Sequence, residues 1–164
     1  MQVKCPVCHM QVPAGQLALV YQGMHLAFCS EQCRERFQAT PHLYIGVPGH
    51  KAVKQEGHEV VKHRCFRLDL PLSGEQRRVL KDAVSGMMGI KEVVVEDAEI
   101  RITYDLLEAT SQQIEEALVR AGGHLGSGWA ERMRRALIHY TEDCEAANME
   151  VSELDFHGHS HGRR

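Results

Sequence analysis

Apolar and polar positions alternate with two periods along this chain, and the changes of period mark its elements. Leu17 to Tyr21 and His25 to Phe28 are strand-like runs flanking the turn signal Gln22-Gly23-Met24. From Glu31 to Ala39 the spacing becomes helical. Ser30 stands as the N-cap, Cys33 and Phe37 fall one turn apart on one side, and Pro41 ends the helix. The stretch from Val47 to His63 carries Pro48-Gly49 and little periodicity, which predicts a linker with a short strand at Glu59 to Lys62.

A second series begins at about Arg64. Phe66, Leu68 and Leu70 alternate with Arg67 and Asp69, predicting a strand with one buried face. Ser73 with Gln76 forms a capping-box pattern ahead of Val79, Leu80, Ala83, Val84 and Met87 at helical spacing, closed by Gly86 and Gly89. Val93 to Glu96 and Ile100 to Tyr104 read as a hairpin around Asp97-Ala98. Thr110 and Gln113 start another capped helix through Ile114, Ala117, Leu118 and Ala121. The order β-α-β-β-α is ferredoxin-like, with Gly123 to Leu125 too short to stand as a clear last strand. After Gly126-Ser127-Gly128, an amphipathic helix is predicted from Trp129 to Met149. Its stripe of Trp129, Met133, Leu137, Tyr140, Cys144 and Ala147 must cover the open sheet face, the N-terminal module or a second copy of itself. The fold class is therefore α+β, divided as 1–46, a linker at 47–63, a ferredoxin-like region at 64–126, the helix at 127–150 and a polar tail at 151–164.

Cysteine spacing adds the strongest chemical signal. Cys5-Pro-Val-Cys8 and Cys29-Ser-Glu-Gln-Cys33 are two close pairs separated by 20 residues, the arithmetic of a tetrahedral four-cysteine zinc site. Cys29 and Cys33 lie at and just inside a helix N-terminus, where free N–H groups and the macrodipole favour thiolates. Four thiolates fill the coordination of Zn²⁺, so such a site is structural by default, while iron–sulfur and Cu(I) occupants also suit soft thiolates. A segment this short needs such a staple, because it buries too little apolar surface to be stable alone.

Composition narrows the function classes. In 164 residues the formal net charge is −3, which offers no footprint for nucleic acid, and basic residues are interleaved with acids. No secretory signal and no membrane-length apolar run is seen, so the expected location is cytoplasmic, where paired cysteines hold metal rather than form disulfides. Of eleven histidines, His157, His159 and His161 alternate with small residues near the end, a candidate exchangeable site for Zn²⁺, Cu²⁺ or Ni²⁺. His63 and Cys65 share one side of the predicted strand. Packing of Cys65 under the C-terminal helix is the favoured reading over metal contact. Cys144, on the helix stripe, reads as core or interface packing.

Two resemblances extend this reading. Cys-Pro-Val-Cys-His-Met at 5–10, Tyr21-Gln-Gly, Phe28-Cys-Ser-Glu-Gln-Cys-Arg-Glu-Arg-Phe37 and Pro41-His-Leu-Tyr44 resemble the YHS/TRASH group of treble-clef zinc fingers. The resemblance implies a zinc-binding module of the kind found in transporting ATPases, metal sensors and metallochaperones. Many members have one cysteine followed by Gly-Met in the first motif, where this chain has two cysteines and His9-Met10. The second region resembles a heavy-metal-associated domain in element order and in Ser85-Gly-Met-Met-Gly-Ile-Lys-Glu-Val-Val-Val95. That family carries Met-x-Cys-x-x-Cys after its first strand. Here the loop reads Leu70-Pro-Leu-Ser-Gly-Glu-Gln76, so no ligand is carried over.

Together these features predict a cytoplasmic heavy-metal-binding protein with structural zinc: a metallochaperone, a buffer or an accessory factor to a metal-transporting membrane protein. The alternative is an adaptor or metal-responsive regulatory module with structural zinc only. A homodimer through the C-terminal helix is the expected self-association. No nucleophile with a paired base, phosphate-cradling loop or open metal triad is visible, so no enzymatic activity is expected.

Overall fold

A computed structural model describes residues 1–158 and divides the chain into two compact units, Met1–Glu59 with the residues from Cys144 onward, and Val60–Asp143. In the first unit, β1 (Gln2–Lys4) and β2 (Gln11–Pro13) pair antiparallel, with Val3 opposite Val12. A second short hairpin joins β3 (Leu19–Tyr21) to β4 (Met24–Leu26). Its two-residue turn, Gln22-Gly23, has φ of 47° and 79°. Positive φ at both central residues matches the twist of the flanking strands, which is why the run after Tyr21 turns so tightly. The helix α1 (Glu31–Ala39) begins at the position its N-cap predicts, and the Ser30 side chain accepts from the Cys33 N–H.

Phe37, fully buried, organises the small core of this unit. Its ring meets Tyr21 edge-on at 5.3 Å, Phe28 at 5.4 Å and Tyr44 at 6.1 Å, geometries that add aromatic attraction to apolar burial. The segment after Tyr44 belongs to this unit as well. Lys54 donates its N–H to the Leu43 carbonyl at 3.0 Å, and Ala52 is buried. Gly46 allows that return of the chain, because a Cβ there would stand 2.0 Å from the His50 carbonyl oxygen. The expected linker at 47–63 is thus divided: its first part packs in the first unit, and Val61 to His63 lie in a strand of the second.

The second unit is ferredoxin-like: β5 (Val61–Arg67), α2 (Gly74–Ser85), β6 (Ile90–Val95), β7 (Glu99–Asp105) and α3 (Ser111–Arg120). The sheet is antiparallel in the order β5-β7-β6. Both helices open on the expected capping boxes, Ser73 with Gln76 and Thr110 with Gln113. Period-two alternation sends Ile100, Ile102 and Tyr104 of β7 into the core with Phe66, Leu80, Val84, Ile114 and Leu118. The fourth strand of the arrangement survives as one antiparallel bridge, Leu68 to Leu125, flanked by Asp69 N–H to His124 O at 2.8 Å and Gly126 N–H to Arg67 O at 2.9 Å.

The last helix, α4, runs from Trp129 to Gly158, past the expected end at Met149 and through much of the segment read as a tail. Its inward side is not the apolar stripe, which corrects the expectation that the stripe covers the sheet face. Trp129, Met133, Leu137 and Tyr140 are exposed, and the residues turned inward in the second unit are largely charged. Glu142 is buried and accepts from the Ser111 N–H and Oγ, each at 2.9 Å, and from the Tyr104 hydroxyl. It also pairs with Arg64 at 3.3 Å. Glu115 receives Arg135 at 3.3 Å and His139 at 2.8 Å. A charged face docks here because each charge finds a fixed partner, which offsets its desolvation. Hydrophobic periodicity identified the helix, but it is the charged side, not the apolar stripe, that packs on its own unit.

Candidate metal centre

The two cysteine pairs are delivered by different elements. Cys5 and Cys8 sit in the knuckle that joins β1 to β2, closed by the Cys5 N–H to the Met10 carbonyl and the His9 N–H to the Cys5 carbonyl, both 2.9 Å. His9 takes φ 62° at the tip, a left-handed conformation that costs a non-glycine residue energy. Cys29 and Cys33 bracket the N-terminus of α1, one residue before the Ser30 cap and in the first turn. Gln16 fixes the approach to the helix by donating its side-chain amide to the Cys29 carbonyl at 3.0 Å.

All four Sγ atoms lie within 4.8 Å of one another. Cys29 Sγ stands 3.3 Å from Cys8 Sγ and 3.4 Å from Cys33 Sγ. A tetrahedral zinc with Zn–S bonds of about 2.3 Å separates its sulfurs by about 3.8 Å, so this cluster fits the ion in donor type, number and spacing. Cys5 and Cys33 are fully buried, while Cys8 and Cys29 keep partial exposure.

Electrostatics support the same reading. Hydrogen bonds from Cys33 and then Cys8 hold the Cys5 thiol far below its ordinary value. Cys33 is pushed strongly up by Cys5, then by Cys8 and by burial. For Cys8 the contact with Cys33 acts downward, but Cys5 and burial outweigh it and the thiol is pushed up to about 12. Four sulfurs this close cannot all be thiolates on their own, and a bound dication removes that conflict. With four thiolates the coordination is complete and no position remains for a reacting water, which makes the centre non-catalytic in kind.

The other candidate residues are dispersed. His63 and Cys65 lie on the open face of the sheet, beside Thr103, Arg101, Glu92 and Val94. The His63 Nδ1 is 2.9 Å from the Thr103 hydroxyl. Arg134 of α4 reaches the Cys65 carbonyl at 3.1 Å, while the half-buried Cys65 side chain lies on that open sheet face rather than under the helix. Burial, first, and then Glu99 push the Cys65 thiol above its ordinary value, so it is a poor thiolate donor. His157 falls in the last turn of α4, and His159 and His161 lie outside the described residues. Sequence reasoning missed Glu142 and Lys54, buried charges with no periodic signature. It also missed the β1–β2 hairpin, whose three-residue strands are too short to show an alternation.

Among the described residues, no helix is long and apolar enough to cross a membrane. No curated protein and no solved structure matches the chain. The family model for the YHS domain matches residues 3–47, the segment that holds all four converging thiols. The N-terminal part of the chain therefore carries a YHS/TRASH-type four-cysteine metal-binding motif, consistent with a treble-clef zinc finger.

Proposed function

We propose that the chain is a cytoplasmic heavy-metal-binding protein of transition-metal homeostasis, serving as a metallochaperone, a buffer or an accessory factor to a metal-transporting membrane protein. Cys5, Cys8, Cys29 and Cys33 hold structural zinc, and His157, His159 and His161 take a second, exchangeable ion of the Zn, Cu or Ni class. The observation that carries this reading is the convergence of four sulfurs within 4.8 Å in a segment similar to the YHS domain. The second unit is read as a heavy-metal-associated domain that kept the ferredoxin-like shape without the thiol loop. The chain works as a homodimer through its C-terminal helix.

Element analysis of the full chain purified without added metal tests the proposal, followed by equilibrium dialysis against Zn²⁺, Cu²⁺ and Ni²⁺. One tightly held zinc plus one weaker ion, with the weaker ion lost on deletion of 157–164, is the expected result. One zinc and no further uptake overturns the transfer role. It would favour the second reading, an adaptor or metal-responsive module with structural zinc only. What speaks for that reading is the loop from Leu70 to Gln76, which has no thiol and instead exposes Leu70 at 63%.

A further inference from the structure

Between α3 and the opening turns of α4 the second unit holds a groove of about 820 Å³. That volume falls within the roughly 300–1,000 Å³ of small-molecule sites. Its floor follows from the way α3 ends. Gly122 takes φ 93° and its N–H reaches the Val119 carbonyl at 3.0 Å, while the Gly123 N–H reaches the Leu118 carbonyl at 2.8 Å. This glycine stop turns the chain sharply off the helix. His124 to Gly126 then run along the end of β5 before α4 begins at Trp129.

The walls are fixed to each other and to the floor. Glu115 of α3 takes Arg135 at 3.3 Å and His139 at 2.8 Å, both from α4. Arg135 also donates to the Gly126 carbonyl at 2.7 Å, and the Ser127 N–H bonds the Asp69 carboxylate at 3.0 Å. The groove is therefore preformed, and a ligand is spared the cost of ordering it.

Acids and bases in the lining differ in one respect. Each acid is already engaged: Asp69 by Ser127, Glu115 by Arg135, and Glu116 by the Gln112 amide at 3.3 Å. The side chains of Arg120, Arg132 and His124 make no hydrogen bond or ion pair among the described residues. Two guanidiniums and an imidazole thus offer free donors to one groove. The same groove is lined by Val119, more than half exposed, and by the half-buried Leu125.

We propose that this groove binds a small organic anion, a carboxylate or a phosphate monoester carrying an apolar body. Guanidinium forks match the paired oxygens of either group, and the apolar body covers Val119 and Leu125. A neutral apolar ligand would instead strip water from Arg120 and Arg132 without replacing it. The site is independent of the metal centre, since every lining residue lies between Asp69 and Arg135.

Amide chemical shifts of the full chain, followed by NMR during titration with benzoate, phenyl phosphate, phenol and inorganic phosphate, test the assignment. Saturable shifts confined to the groove are expected with benzoate or phenyl phosphate, and the tighter of the two names the anionic group. Phenol and inorganic phosphate should each bind at least about tenfold more weakly, because each lacks one of the two contacts. Arg120→Gln and Arg132→Gln, both at exposed positions, should each weaken binding about tenfold and leave the rest of the spectrum unchanged. No localised shift at millimolar concentrations of either anion overturns the site. Phenol binding as tightly as benzoate, or anion binding that survives both substitutions, overturns the recognition of an anion.

Discussion

The two units solve the stability problem in opposite ways. The first has strands of only three residues and one small aromatic cluster around Phe37, and its largest organising feature is a knot of four sulfurs. The second has seven-residue strands in β5 and β7, two capped helices and a continuous apolar core. A segment with little apolar surface is held by coordination, and one with more is held by burial. The lesson is that a ferredoxin-like shape stands on its apolar core, whereas a small module with three-residue strands depends on its ligands.

Substitutions at the two cores should separate these modes. The largest effect is expected at Cys33→Ser. Structural zinc contributes about 10 kcal/mol or more of folding free energy in modules of this type. The variant should therefore lose the metal and the ordered first unit, with the ferredoxin-like unit intact, as read by amide exchange across each unit. Glu142→Ala should act in the other direction. Removing one member of a buried, hydrogen-bonded charge network costs about 3–5 kcal/mol. Denaturant unfolding should show the second unit weakened while metal content stays the same.

A third contrast is in pH response. In the metal-free state Cys8 is protonated at neutral pH, since its thiol is pushed up to about 12, and Cys33 is likewise shifted upward. Zinc binding must therefore release protons, so apparent affinity falls as pH falls and metal is lost on acidification. Titration calorimetry in buffers of different ionisation enthalpy should detect that release. The smallest effect is expected at His9→Gly. Glycine relieves the left-handed backbone at φ 62° but adds freedom to the unfolded chain. The net gain in stability of the metal-bound form should be at most about 1 kcal/mol, measured as a shift in its thermal midpoint.

What was legible in the sequence follows from the physics of each element. Local signals carried through: Ser30 caps α1, the boxes at Ser73 and Thr110 cap α2 and α3, and Cys5, Cys8, Cys29 and Cys33 converge as their spacing implied. Such features depend on neighbours a few residues away, so they can be read from a short window. The covered side of α4 could not. Which stripe turns inward depends on Arg64, Ser111 and Tyr104 offering partners to Glu142 across more than thirty residues, and no periodicity encodes that. The fourth strand was equally out of reach, since one bridge between Leu68 and Leu125 leaves no alternation to detect.

Coordination, rather than burial, is what should hold the first unit together. Hydrogen exchange of the full chain, followed by mass spectrometry before and after treatment with a strong zinc chelator, tests this directly. Loss of protection throughout 1–59, with protection retained in the strands of 60–143, is the predicted result. Unchanged protection around Cys5, Cys8, Cys29 and Cys33 after the metal is removed would contradict it.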